Sequence, residues 1–64
     1  MKVINMNGAA IDFEAAINMM DDEIREQLHA DGYETEQEFF SAYEKSHVEK
    51  YGEEWELSKE NPVW

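Results

Sequence analysis

The longest helical pattern in the sequence covers residues 35–52, and it constrains how the rest of the chain can fold. Thr35 and Glu38 form a capping box, in which each side chain accepts a hydrogen bond from the other residue's backbone amide. Gly52 can adopt the left-handed conformation that ends many helices. One face of this helix carries five ring side chains at helical spacing, namely Phe39, Phe40, Tyr43, His47 and Tyr51. The pattern predicts a helix whose aromatic face packs in the core.

Length and composition indicate one small domain over residues 1–64. A domain of this size buries only about 60% of the surface that its unfolded chain exposes, so its core is small. The absence of cysteine excludes disulfides and thiolate metal sites. There is no apolar run of the ~20 residues that a membrane span needs, and the N-terminal residues lack a signal-peptide pattern. We therefore expect a cytoplasmic protein. Residues 58–64 form a polar tail that is either flexible or docked through Trp64 against the sheet or a partner.

The N-terminal residues predict a β-hairpin. Asn7-Gly8 separates two short apolar runs, and this dipeptide favours a two-residue type I′ turn because both residues tolerate positive φ. Such a turn pairs Ile4 with Ile11 across the hairpin. The predicted core face then carries four apolar residues, Ile4, Met6, Ala9 and Ile11.

A second helical pattern follows the hairpin. Its apolar residues recur at steps of four, three, four and four: Phe13, Ile17, Met20, Ile24 and Leu28. A single helix would satisfy this spacing, but Asp21 followed by further acids is typical of a new helix start. We favour two helices, over residues 13–20 and 22–30, with Asp12 able to cap the first and Gly32 ending the second.

The residues that follow the long helical pattern predict a strand. Trp55 and Leu57 alternate with Glu54 and Glu56, as in a half-buried strand. A third strand beside the hairpin is attractive because two strands alone are marginally stable. The predicted fold is therefore a small α+β domain in the order β-β-α-α-α-β, with an N-terminal hairpin, two or three helices and a C-terminal strand joining the hairpin.

Net charge is the strongest indicator of function. Sixteen Asp and Glu against five Lys and Arg give a formal charge of −11 on 64 residues, beyond the ~2–8 typical of small soluble domains. This charge disfavours direct binding to nucleic acid or to anionic membranes and favours fast association with basic partners. The hydrophobic content of 42%, laid out with clear periodicity, favours a folded domain over a disordered one.

Enzymatic and metal chemistry have little support in the sequence. Glu26 with His29 and Glu44 with His47 repeat the Glu-x-x-His spacing of di-iron bundles, but those sites need two more glutamates on further long helices. No glycine-rich phosphate loop and no serine with a histidine-and-acid pattern is present. We expect no catalytic residue, no cofactor and no metal site.

The acidic residues form three clusters along the sequence. The first cluster is Asp21, Asp22, Glu23 and Glu26, the second cluster is Glu34, Glu36 and Glu38, and the third cluster is Glu53, Glu54 and Glu56. On helices such neighbours have Cβ atoms ~5–6 Å apart, so their carboxylates can imitate a row of phosphates and compete for Arg and Lys. The clusters predict a positively charged nucleic-acid-binding protein as partner, bound by a monomer or small homo-oligomer.

The order of these segments resembles small acidic proteins encoded by phages and mobile elements. The helical run FEAAINMMDDEIREQLH and the aromatic run EQEFFSAYEKSHVEKYGEEW carry the resemblance after the Asn-Gly hairpin. It points to proteins of the anti-CRISPR or antirestriction type, several of which are acidic DNA mimics. The resemblance implies a non-catalytic inhibitor that blocks the DNA- or RNA-binding surface of a defence nucleoprotein in the cytoplasm of the bacterial host. The alternative function is an adaptor that binds its partner through an exposed aromatic surface of four residues, Tyr33, Tyr51, Trp55 and Trp64.

Overall fold

The computed structural model describes residues 2–59, which form a two-stranded antiparallel sheet packed against helices. The elements are β1 (Lys2–Ile4), β2 (Ala10–Asp12), α1 (Phe13–Asn18), α2 (Asp22–Asp31), α3 (Glu36–Tyr51) and α4 (Glu56–Lys59). The predicted α+β class and the N-terminal hairpin are confirmed. None of the helices in this part of the chain is long and apolar enough to cross a membrane.

Aspartate caps set the boundaries of the first two helices, as the sequence predicts. The Asp12 side chain accepts a hydrogen bond from the Ala15 amide, and the Asp21 side chain accepts one from the Ile24 amide. Because each carboxylate satisfies an amide that has no partner within its helix, a new helix begins at both places. The chain therefore bends between α1 and α2 instead of continuing as one helix.

The long helix α3 forms where the capping pattern places it. Thr35 Oγ1 accepts a hydrogen bond from the Glu38 amide at 3.1 Å, and Gly52 ends the helix with a φ of 75°. Phe40 and Tyr43 are fully buried on its inner face, whereas Tyr51 is 49% exposed at its last turn. The predicted aromatic face is thus a core face along most of its length, but not at its C-terminal end.

The core is assembled from both strands, all four helices and the segment before α4. Trp55 lies against Tyr43, with ring centroids 4.4 Å apart, and against Phe40 at 5.8 Å. The buried cluster consists of Val3, Ile11, Ala16, Met20, Ile24, Leu28, Phe39, Phe40, Tyr43, Trp55 and Leu57. Edge-to-face aromatic pairs of this kind add to the stability that their buried area supplies.

The predicted hairpin register is wrong by one residue. Val3 lies opposite Ile11 and Ile4 lies opposite Ala10, and residues 6–8 form a three-residue loop. Gly8 has a φ of 85°, but Asn7 has no positive φ, so a type I′ turn is not formed. A shift of one residue exchanges the two faces of a strand.

The exchange of faces changes which hairpin residues reach the core. Val3 and Ile11 are fully buried, while Ile4 is 46% and Met6 is 55% exposed. Of the four predicted core residues, only Ala9 and Ile11 are therefore buried.

The Asn5 side chain explains the longer loop. Its Oδ1 accepts hydrogen bonds from the amides of Asn7 at 3.0 Å and Ala9 at 2.8 Å, which folds the backbone around it. Its Nδ2 donates to the Leu57 carbonyl at 2.8 Å. With only 4% of its surface exposed, Asn5 is a buried polar residue that links the hairpin turn to α4.

The predicted C-terminal strand is also wrong, because the outer edge of β1 is already occupied by side chains from α3. Gln37 accepts a hydrogen bond from the Ile4 amide at 2.7 Å and donates one to the Ile4 carbonyl at 2.9 Å. The Glu44 carboxylate accepts from the Met6 amide at 3.1 Å. These side chains take the place that a third strand would need.

Trp55 and Leu57, whose alternation with glutamates predicted a strand, are buried in a different structure. Both residues are buried, but they lie in a loop and in the single helical turn of α4. The Asn7 side-chain amide donates to the Ser58 carbonyl, which holds α4 against the hairpin turn. Ser58 and Lys59 belong to α4, and the rest of the predicted tail, with Trp64, lies outside the described residues.

Replacing Asn5 with alanine should lower the free energy of unfolding by at least about 2–3 kcal/mol, since the hydrogen bonds of its buried side chain to Asn7, Ala9 and Leu57 are lost at about 1 kcal/mol each. Urea denaturation followed by circular dichroism measures this change. Asn7→Ala is the matched control, because the exposed Asn7 side chain loses one bond and should cost less than about 1 kcal/mol. Equal losses for the two variants would contradict this role of Asn5.

Candidate partner-binding surface

The antiparallel packing of α2 and α3 decides where the acidic clusters lie. Lys50, in the last turn of α3, reaches Asp21 at the start of α2 with an Nζ to Oδ2 distance of 3.0 Å. The His29 ring, near the end of α2, lies 4.9 Å from the Phe39 ring, near the start of α3. The first and third clusters are therefore at one end of α3 and the second cluster is at the other. The 16 residues of α3 separate these ends by about 22 Å.

The first cluster is largely compensated within the chain. Lys50 Nζ lies 2.7 Å from Glu23 Oε2 in addition to its contact with Asp21. Arg25 lies 2.8 Å from Asp22 Oδ1. Two cations therefore neutralise part of a cluster that the sequence alone presents as four free carboxylates. Glu26 is its one member with an exposed side chain and no ion pair within residues 2–59.

Asp21 is the structural centre of this cluster. The Tyr51 hydroxyl donates to its Oδ1 at 2.8 Å, and this hydrogen bond, together with that of Lys50, lowers the pKa of Asp21. Hydrogen bonds to Glu23 and then to Asp21 raise the pKa of Lys50. The Asp21 amide also donates to the Tyr43 hydroxyl at 2.8 Å. Asp21 thus ties the bend between α1 and α2 to α3, which makes it a structural residue as well as an acidic one.

The second and third clusters have uncompensated charge. All but one of their carboxylates are exposed, the half-buried exception being Glu36, and none forms an ion pair in the described part of the chain. The third cluster follows α3 in a loop that His47 helps to hold, with Nδ1 3.0 Å from the Glu53 carbonyl. These two clusters present their carboxylates to solvent on backbone that is fixed by caps and hydrogen bonds.

The members of the two Glu-x-x-His motifs have separate neighbours. Glu44 is only 3% exposed and binds the hairpin turn, whereas His47 binds the loop after α3. His29 packs on Phe39 instead of meeting Glu26 at a shared site. Among the residues that the structure describes, no group of three or more His, Cys, Asp or Glu is arranged to hold a metal ion.

The burial of Glu44 is a feature that sequence reasoning missed, because a glutamate in so acidic a chain gives no sign of being buried. Burial raises the pKa of the Glu44 carboxyl, while the nearby Ser58 hydroxyl and the Met6 amide act in the opposite direction. Ser58 Oγ is itself fully buried and has no hydrogen-bond partner of good geometry among residues 2–59. The raised pKa shows that the cost of burying the charge outweighs these polar neighbours.

One of the four residues of the predicted aromatic surface is not available for partner binding. Trp55 is 93% buried, with 7% of its surface exposed, and belongs to the core. Tyr33 and Tyr51 remain exposed, at 41% and 49%, on different ends of α3. Trp64 lies outside the described residues.

Comparison with known proteins identifies the class of this domain. Residues 4–55 match the family model of the anti-CRISPR protein AcrIC5. This span includes every predicted partner-binding residue except Glu56, and it confirms the resemblance seen in the sequence. The chain is therefore a phage-type inhibitor of CRISPR defence. It belongs to the AcrIC5 family of anti-CRISPR proteins. No curated protein and no solved structure gives a significant match.

Replacing Asp21 with alanine should lower the urea midpoint of unfolding at pH 7, because the cap of α2 and the bonds from Lys50 and Tyr51 are lost. Since the folded-state pKa of Asp21 is lowered from 3.8, its contribution is present above that value and disappears as the pH falls below it. The difference from wild type should therefore shrink in acid. Asp22→Ala is the control, because this exposed neighbour forms a single ion pair within residues 2–59, with Arg25, and should change the midpoint much less.

Replacing Glu44 with glutamine should stabilise the protein at pH 7. The folded-state pKa of Glu44 is raised from 4.5, so the stability linked to its protonation is present below that value and is lost as the pH rises through the raised pKa. Glutamine keeps an acceptor for the Met6 amide and carries no charge. Urea unfolding at pH 4 and pH 7 should show an advantage of Glu44→Gln that grows with pH. Exposed Glu38→Gln should show no such growth, and destabilisation by Glu44→Gln at pH 7 would refute this reasoning.

Proposed function

We propose that this chain inhibits CRISPR immunity by charge mimicry, occupying the surface on which a host CRISPR nucleoprotein binds DNA or RNA. The observation that carries the proposal is the set of exposed carboxylates without ion pairs within residues 2–59 at both ends of α3, in the second and third clusters. Anti-CRISPR proteins bind Cas proteins or complexes, so the partner is a protein in the cytoplasm of the bacterial host. The inhibitor itself is non-catalytic.

The dimensions of the domain suit this role. The two ends of α3 are about 22 Å apart. Phosphates on one strand of duplex DNA advance by ~3.4 Å along the helix axis, so α3 matches the axial length of about six phosphates. A channel that binds such a length of nucleic acid presents Arg and Lys along it. Carboxylates at both ends of a rigid helix can contact these cations at the same time, and each can accept a bidentate pair of hydrogen bonds from arginine.

The internal ion pairs give the three acidic clusters different roles in binding. Lys50 and Arg25 already bind Asp21, Asp22 and Glu23, so those carboxylates would exchange one cation for another on binding. Free carboxylates gain a new partner instead. The second and third clusters, together with Glu26, therefore contribute most of the binding, and the first cluster mainly holds the frame.

A second candidate function is supported by the exposed tyrosines. Tyr33 and Tyr51 each expose more than two fifths of their surface, and tyrosine is enriched among the residues that dominate protein interfaces. An adaptor of this kind would depend on the rings and tolerate neutralised carboxylates. Its affinity would also vary little with salt, whereas charge mimicry requires affinity that falls steeply as salt rises.

Neutralising three carboxylates at a time tests the proposal. The variants E34Q/E36Q/E38Q and E53Q/E54Q/E56Q should each weaken binding to the target complex about tenfold, since exposed pairs contribute ~0.2–1 kcal/mol each. The measurements are phage plating on a host whose CRISPR system the wild type blocks, and affinity for the purified complex at low and high salt.

A control with the same change in charge separates position from net charge. Glu14, Asp31 and Glu49 are exposed and lie outside the three clusters. The variant E14Q/D31N/E49Q should therefore retain most of the wild-type affinity. If this control weakens binding as much as the cluster variants do, only net charge matters. If none of the three variants weakens it, charge mimicry is refuted.

A further inference from the structure

A cavity of about 220 Å³ opens beside the second cluster, where α1, the end of α2 and the start of α3 meet. Its floor is Phe39, which has only 6% of its surface exposed. Pockets for drug-sized ligands usually have volumes of ~300–1,000 Å³. A cavity of this size fits a single side chain better than a whole small molecule.

Three other rings surround Phe39. The Phe13 and Tyr33 rings meet it edge to face, with centroids 5.8 and 6.1 Å away, and the His29 ring lies tilted at 4.9 Å. Tyr33 and His29 are exposed and Phe13 is half-buried, so their ring surfaces are accessible from the cavity. The site is therefore an aromatic recess and not a closed part of the core.

Two carboxylates stand at the rim of this recess. Glu34 and Glu36 line the same cavity as the rings, and neither is in an ion pair with another residue of the 2–59 segment. A ligand that fills the recess must suit aromatic faces and negative charge at once. A phosphate or another anion is excluded by the carboxylates, and an uncharged apolar group would leave them without a partner.

We propose that this recess, which we call the aromatic–acidic recess, binds an arginine side chain of the CRISPR target. A guanidinium group is planar, stacks on aromatic rings and forms bidentate hydrogen bonds with carboxylates, whereas an ammonium group is a compact and strongly hydrated charge. The inference rests on the proposed function, since a nucleic-acid-binding surface supplies the arginine. It adds a specific contact to what would otherwise be a general attraction between charges.

A second copy of this chain is a poor source of the guanidinium. Arg25 is the single arginine in the sequence. Its Nη1 donates to the Ile17 carbonyl at 3.2 Å and its Nη2 donates to Asp22 at 2.8 Å. Both terminal nitrogens are therefore already engaged within the chain, and self-association through the recess would break these bonds.

Nuclear magnetic resonance of the aromatic protons tests the recess without the target. Blocked Gly-Arg-Gly and Gly-Lys-Gly peptides have the same charge and differ in the cation that they present. At pH 7.5 and low salt, millimolar Gly-Arg-Gly should shift the Tyr33 and His29 ring signals to saturation, and Gly-Lys-Gly should shift them several times less. Equal shifts with the two peptides would overturn the proposal.

Two tyrosine variants with unchanged charge extend the test. Tyr33→Leu should abolish the His29 shifts caused by Gly-Arg-Gly. Tyr51→Leu removes a ring of similar exposure, together with its hydrogen bond to Asp21, but this ring does not line the cavity, so these shifts should persist. Retention of the His29 shifts in Tyr33→Leu would contradict the assigned site, and urea unfolding of both variants shows that they remain folded.

Measurements of target binding and of CRISPR inhibition separate the arginine contact in the recess from charge mimicry in general. Tyr33→Leu should weaken binding to the target complex about fivefold to tenfold, as expected for a desolvated cation on an aromatic ring, whereas Tyr51→Leu should leave it unchanged. Equal weakening by the two variants would contradict the recess and favour the adaptor function. If E53Q/E54Q/E56Q weakens binding and Tyr33→Leu does not, charge mimicry stands and the arginine contact is refuted. If Tyr33→Leu and E34Q/E36Q/E38Q weaken binding while E53Q/E54Q/E56Q and high salt do not, the recess stands and charge mimicry fails.

Discussion

The contacts of Tyr43 hold the domain together. Its ring packs against Trp55 at 4.4 Å, and its hydroxyl accepts a hydrogen bond from the Asp21 amide. One buried side chain thus joins α3 to the bend between α1 and α2 and to the segment that leads into α4. Burial raises the pKa of the Tyr43 hydroxyl, so this junction stays uncharged in a strongly acidic chain. The first and third clusters are both held at their end of α3 by this junction.

The positions of Lys50 and Arg25 allow the acidic chain to fold while leaving the carboxylates of the other two clusters available to bind a partner. A formal charge of −11 opposes compaction, and the chain has only five Lys and Arg to offset it. Lys50 and Arg25 lie at the first cluster, where α2 begins and where Asp21 anchors the bend. The carboxylates of the other two clusters have no such compensation in the described part of the chain. Their repulsion is a cost of folding that a basic partner would relieve on binding.

The parts of the fold that depend on neighbouring residues were predictable, and those that depend on distant residues were not. Asp21 and Thr35 cap helices through amides three positions away, so α2 and α3 follow from the local sequence. The hairpin register depends on Asn5, whose side chain binds a carbonyl 52 positions away. The acidic clusters were visible in the sequence, whereas the contact of Lys50 with Asp21 across 29 positions was not. Nor could the sequence show that Phe39 lies at the floor of a recess.

The bonds between Gln37 and Ile4 have a consequence for the way this inhibitor recognises its target. A side-chain amide has the same donor and acceptor as a peptide group, so Gln37 completes β1 as a short neighbouring strand would. Another chain cannot add a strand at Ile4 without displacing it. The protein is thereby protected on this side from edge-to-edge aggregation. The inhibitor therefore cannot bind its target by adding a strand to β1, and the side chains of its helices and loops make the contacts instead.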